Sequence, residues 1–127
     1  MKPVKSPSLS NPQAAEAELR RLQRRYEGLK ARLARLGYVC QGTLSERYLP
    51  CGKPNCVCHQ DPSKRHGPYT YWTRKVDGRT QTRMIPASVV SLYRKGIQNH
   101  QRLKTILTEM QEVSLQAFEA VKNRSKR

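Results

Sequence analysis

From Ala15 to Leu36 the apolar residues Ala15, Leu19, Leu22, Tyr26, Leu29, Leu33 and Leu36 recur at alternating spacings of four and three. That rhythm holds one seam on one side of a helix, where another helix can lie along it. The remaining positions carry Arg20, Arg21, Arg24, Arg25, Lys30, Arg32 and Arg35 against Glu16, Glu18 and Glu27. A coiled-coil-like helix is predicted over residues 13–37. Asn11 and Pro12 suit its first turn, and Gly37 suits its C-terminal cap. A second helix is predicted over 88–122. Its apolar stripe is broader and runs from Val89, Leu92, Tyr93 and Ile97 through Ile106, Met110 and Val113 to Ala120 and Val121, with Gly96 and His100 weakening it midway. Leu22, Tyr26, Leu29, Leu33 and Leu36 can face either a second subunit or the chain's own second helix, antiparallel. The seam alone does not choose.

Between these helices the period changes to two. "YTYWTRKVDGRTQTRMI" holds two β-prone runs around Asp77 and Gly78, a dipeptide that a two-residue hairpin favours because both turn positions need positive φ. "GTLSERYL" upstream adds a candidate third strand.

Composition narrows the function. With 127 residues, 36% of them apolar, the core is thin. The mean hydropathy is −0.82. The formal charge of +16 exceeds what solubility needs and favours a polyanion. DNA is the leading partner and RNA the alternative. The charge is spread over every segment, so a folded surface is a better footprint than a tail. No apolar run approaches the roughly 20 residues of a membrane span, and "MKPVKSPSLSNP" is no signal peptide. A cytoplasmic protein is expected, with residues 1–12 a disordered basic leader and 123–127 a basic tail.

In a reducing compartment Cys40, Cys51, Cys56 and Cys58 are expected as thiols or metal ligands, with a disulfide the lesser alternative. In an extended segment Cys56 and Cys58 would point the same way, and Gly52 and Pro54 suit a tight loop that returns Cys51 to them. Three soft thiolates on one side of a turn suit a tetrahedral structural zinc, which is usually closed by a fourth protein ligand. His66, His59 and Cys40 compete for that place. His66 is favoured, because His59 adjoins Cys58 and would strain joint ligation, while Gly67 and Pro68 let the chain turn from the site into the hairpin. The expected fold is therefore α+β, mainly α: two long antiparallel helices flanking a small zinc-stapled antiparallel β-hairpin or three-stranded sheet, with residues 38–87 as the cysteine-loop module.

"CGKPNCVC", then "HGPYTYW", a basic hairpin ending in "MIP", and a helix containing "IQNHQRLK" resemble an uncharacterised family of short bacterial proteins known only as a domain of unknown function. The resemblance covers about residues 42 to 110 and leaves Cys40 and the N-terminal helix outside its core. It implies the three cysteines with His66 rather than His59. It also implies proximity to transposase or recombinase genes, and so an accessory role in DNA transactions.

The function expected is a zinc-stabilised nucleic-acid-binding accessory protein, without catalysis. Arg74, Lys75, Arg79 and Arg83 decorate a ribbon narrow enough for a major groove, and Lys53, Lys64 and Arg65 add charge beside the metal loop. Each is equally readable as a solvated surface cation. Tyr69, Tyr71 and Trp72 invite base stacking, but packing of a small sheet on helices is the favoured role. The competing function is a helical adaptor or homodimer in which the charge serves solubility. Enzyme chemistry is the weakest reading, because Glu46, Asp61 and Asp77 are spread apart and no phosphate loop is present.

Overall fold

The computed structural model of the chain describes residues 12–125. The expected basic leader except Pro12, Asn11 with its capping role, and the last two residues of the basic tail lie outside the described residues. The chain forms two compact units, one of residues up to 36 with those from 101 onward, the other of residues 37–100.

The first unit is a helical hairpin. Helix α1 spans Pro12–Ala34 and helix α2 spans Val90–Ser125. Ala15, Leu22 and Leu29 on α1, and Ile106, Val113 and Ala120 on α2, are buried at seven-residue intervals, the repeat that keeps two helices in register along a seam. Tyr26, Leu33, Leu36, Met110 and Ala117 pack around this core. Ion pairs join Arg124 to Glu16 at 2.8 Å and Arg32 to Glu109 at 3.3 Å. The start of α1 thus meets the end of α2, so the helices are antiparallel. Burying Leu22, Leu29, Ile106 or Val113 contributes about 1.5–3 kcal/mol each, whereas exposed ion pairs give about 0–1 kcal/mol. Packing supplies the stability, and the seam is engaged within the chain.

The α1 end differs from the expected glycine cap. The helix stops at Ala34, and the amides of Arg35 and Leu36 donate to the carbonyls of Arg32 and Leu33 at 3.2 Å, tightening the last turn. Gly37 does not adopt the left-handed conformation; the glycines with positive φ are Gly42, Gly67 and Gly78.

The second unit holds a three-stranded antiparallel sheet, β1 (Thr43–Leu49), β2 (His66–Val76) and β3 (Arg79–Ile85), with β2 central. Asp77 and Gly78 have φ of 51° and 78° and form the tight turn that pairs Val76 with Arg79. Trp72, at the centre of the sheet, is buried; it meets Tyr93 edge-on at 5.1 Å and donates its Nε1–H to the Gln41 carbonyl at 2.8 Å. A 3-10 turn at Ala87–Val89 leads into α2. The unit takes in residues 88–100, which the apolar pattern assigns wholly to the second helix. The reason is the segment that follows α1: Asn99 Nδ2 donates to the Tyr38 carbonyl at 2.9 Å, and the Cys40 amide donates to the Gly96 carbonyl at 3.0 Å.

Gly96 reads in sequence as a weak point of the helix, yet it is the place where Cys40 lies against it. A Cβ at Gly96 would stand 2.9 Å from the Cys40 Cβ, whereas one at Gly28 in α1 would meet nothing within 4 Å. Alanine is the better helix former by about 1 kcal/mol at either place. Chemical denaturation is therefore expected to show Gly28→Ala raising stability by about 1 kcal/mol and Gly96→Ala lowering it. Stabilisation by both would show that Cys40 yields freely. No helix among the described residues is long and apolar enough to cross a membrane.

Candidate functional site

Leu49 closes β1 opposite His66, the first residue of β2, so residues 50–65 form the connection between two paired strands. Connections beyond about 12–15 residues without structure of their own are uncommon. This one is folded by local devices. The Cys56 amide donates to the Lys53 carbonyl at 3.2 Å, closing a turn with Pro54 at its second position. Val57–His59 and Pro62–Lys64 form single 3-10 turns. Asp61 caps the second, accepting from the Ser63 amide at 3.0 Å and the Ser63 hydroxyl at 2.7 Å. These bonds to its ionised form hold the Asp61 carboxyl below its ordinary pKa. The "DPSK" run carries this cap in plain view, with Asp before Pro and a Ser two residues on, and it was not among the residues expected to matter.

Cys56 and Cys58 do not share one extended segment. Cys56 is extended, with φ −75° and ψ 138°, but Cys58 lies inside the 3-10 turn that follows. The turn achieves what alternation was expected to do. The Sγ atoms of Cys51, Cys56 and Cys58 and a ring nitrogen of His66 lie within 4.8 Å of one another. Cys51 and Cys58 sulfurs are 3.6 Å apart, and Cys56 Sγ lies 3.5 Å from His66 Nε2. Ligand atoms at metal distances of about 2.0–2.3 Å across a tetrahedral angle stand about 3.5–3.8 Å apart. The cluster is thus compatible with a metal ion. The Cys51 amide also donates to Cys58 Sγ at 3.2 Å, an interaction that favours a thiolate. Cys58 is buried, and Val57 beside it is exposed, so the loop has almost no apolar core of its own.

Cys40 and His59, the rivals for the fourth place, are not part of this cluster. Cys40 lies against Gly96, and its Sγ donates to the Gln41 carbonyl at 3.4 Å. His59 is exposed.

The thiols are unequal. The Cys58 amide, and after it His66 and the neighbouring thiols, lower the Cys56 pKa to about 6. Burial pushes the Cys58 thiol up. A depressed thiol is thiolate above its pKa and loses that form as pH falls through it. The metal-competent form of Cys56 is therefore present at neutral pH and lost below about 6. Cys58, in contrast, must give up its proton as an ion binds. Competition against a chromophoric chelator is expected to show affinity falling more steeply with acidification below pH 6 than above it. An unchanged slope would contradict the ionisation of Cys56.

The expected basic residues fall into three places. Lys53, Lys64 and Arg65 are exposed on the cysteine loop. The last β1 pairing is Thr43 with Thr73, so Arg74, Lys75 and Arg79 extend beyond it on a two-stranded tip. The pairings of Trp72 with Arg83, and Val76 with Arg79, put Arg74, Arg79 and Arg83 on the Trp72 face, and Lys75 on the other. Arg74 and Arg83 guanidinium carbons lie 4.6 and 5.4 Å from the Trp72 ring centre. Arg47, which the sequence did not single out, lies 4.5 Å over the Tyr71 ring; only the β1–β2 register reveals that neighbour.

Fold and site together define a small α+β protein with a three-cysteine, one-histidine cluster of metal-binding geometry. The chain belongs to the family described as Domain of unknown function (DUF6788), which matches residues 19–95. The match begins within α1 and ends before "IQNHQRLK", so most of the first helix belongs to it and that stretch of the second does not. No curated protein and no solved structure matches the chain.

Proposed function

We propose that the chain is a nucleic-acid-binding accessory protein whose sheet-bearing unit is held by a structural zinc ion, with DNA the expected polymer and a transposase or recombinase the expected partner. One observation carries the nucleic-acid reading. Residues 37–100 contain ten Lys or Arg against Glu46, Asp61 and Asp77. All five ion pairs among the described residues lie elsewhere, in the helical unit. Cations left without carboxylate partners are available to phosphates. Zinc is the ion favoured by three thiolates and an imidazole. The recombination setting rests on the family resemblance alone, and no catalytic step is assigned.

Anisotropy of labelled DNA across a salt series tests this. Log affinity is expected to fall linearly with log salt, and each of Arg74→Ala, Arg79→Ala and Arg83→Ala to lower the slope by about one where it removes a phosphate contact. Binding that ignores salt, or survives a chelator unchanged, would reject the proposal.

The adaptor reading keeps one supporting observation. Leu107, Leu115 and Phe118 on α2 are exposed by 42, 63 and 66% and line a groove with Tyr26 and Met110. An adaptor would use this face rather than the α1 seam, which is already packed.

A further inference from the structure

The sheet has a second face, opposite Trp72. The register places Ser45, Tyr71 and Met84 in one row across it, with Thr43, Thr73 and Thr82 to one side and Arg47 with Tyr69 to the other. The Thr73 and Thr82 hydroxyls, 3.0 Å apart, fix that assignment. Lys75 and Thr80 follow towards the hairpin tip. Every one of these residues is exposed or half-buried. None is a carboxylate; Glu46 pairs with Thr70 and belongs to the Trp72 face.

The aromatic residues are thereby sorted. Trp72 is 7% exposed and serves the core. Tyr69 and Tyr71 are half-buried on this face, with Arg47 over Tyr71 at 4.5 Å and Met84, paired with Tyr71, 49% exposed. Such a surface suits planar π systems carrying negative charge. Bases stack on tyrosine rings and on guanidinium planes whatever their sequence, and adjacent cations take the phosphates. In a duplex the base faces are hidden against one another, so only an unpaired strand can use this surface.

We propose that this face binds single-stranded nucleic acid, with Tyr71 and Arg47 stacking on bases and Lys75 meeting the backbone. The assignment rests on the nucleic-acid function proposed above and adds the strandedness of the ligand and the face that takes it.

The test uses the whole 127-residue chain loaded with one equivalent of zinc. The probes are fluorescein-labelled oligo-dT and oligo-rU of about 12 nucleotides and a DNA duplex of the same length, read by anisotropy. Single strands are expected to bind more tightly than the duplex. Tyr71→Ala is expected to weaken them about tenfold, Tyr71→Phe to restore binding, and Arg47→Gln to weaken it severalfold, with the duplex little affected. The preference between dT and rU tells DNA from RNA. Because Tyr71→Ala removes a half-buried ring, its near-ultraviolet dichroism is compared with that of the parent; should it differ, the Arg47→Gln and Tyr71→Phe pair decides. Duplex binding at least as tight as single-strand binding, together with indifference to these changes, overturns this proposal and leaves the nucleic-acid function standing. No binding to any of the three probes overturns both.

Discussion

Cys58→Ser is expected to strip the chain of metal and unfold the β1–β2 connection, whereas Cys40→Ser and His59→Ala leave metal content unchanged. Cys58 is the buried member of the cluster, bonded to the Cys51 amide at 3.2 Å and 3.6 Å from the Cys51 sulfur. A structural zinc site contributes on the order of 10 kcal/mol to a small domain. Nothing else in residues 50–65 matches that: the other side chains there are partly or fully exposed, and the turns are held by a few local backbone bonds and the Asp61 cap. His66→Ala should behave like Cys58→Ser. The first residue of β2 would then lose its tie to the loop, and the damage should reach the sheet through the Leu49–His66 pairing. Elemental analysis measures the ion, and the near-ultraviolet dichroism of Trp72 reports on the sheet. The helical signal should fall less, because the Leu22, Leu29, Ile106 and Val113 core lies in the other unit. Metal retained in both Cys58→Ser and His66→Ala would refute the tetrad.

Trp72→Ala is the other substitution expected to be severe, costing about 3–5 kcal/mol in chemical denaturation. Three losses coincide there. The largest side chain in the sheet leaves a cavity on the face that also carries Ile85, the edge-on contact with Tyr93 at 5.1 Å disappears, and the Gln41 carbonyl loses its donor at 2.8 Å. The aromatic contact alone is worth about 0.5–1.5 kcal/mol. Arg74 and Arg83 also lose the ring beneath their guanidinium groups. Trp72→Phe keeps an aromatic ring but not the indole N–H, so it should recover part of the loss. A cost below about 1 kcal/mol would mean that Trp72 is a surface residue in solution. It would then return to the set of candidate stacking residues.

The two helices, the hairpin and the third strand were legible because each depends on short-range periodicity. Leucines three and four apart, and Asp-Gly between β-prone runs, act within a few residues. The four clustered side chains were also readable as residue types, since thiols and an imidazole in one loop have few structural uses other than holding an ion. The means were less legible. Cys56 and Cys58 were expected to align by strand alternation, and a 3-10 turn brings them together instead. Both conformations fit the same spacing, so spacing could not separate them. Gly37 was misread for a similar reason. Glycine after a leucine-rich helix is the usual cap, but a Cβ at Gly37 would lie 3.3 Å from Asn99 Nδ2, a neighbour far along the chain that the local pattern does not show.

The amino-acid order alone determined that this chain is basic throughout, carries two amphipathic helical segments with a β hairpin between them in sequence, and gathers metal-ligand residue types into one loop, because charge, period and residue type are local properties. The tertiary structure decided that the α1 seam packs on the chain's own α2, that His66 rather than His59 or Cys40 joins the three sulfurs, and that Trp72 is buried against Tyr93 while Tyr71 lies under Arg47. Those outcomes depend on strand register and on contacts between residues tens of positions apart. Such contacts form only when the whole chain has settled which surfaces it can bury.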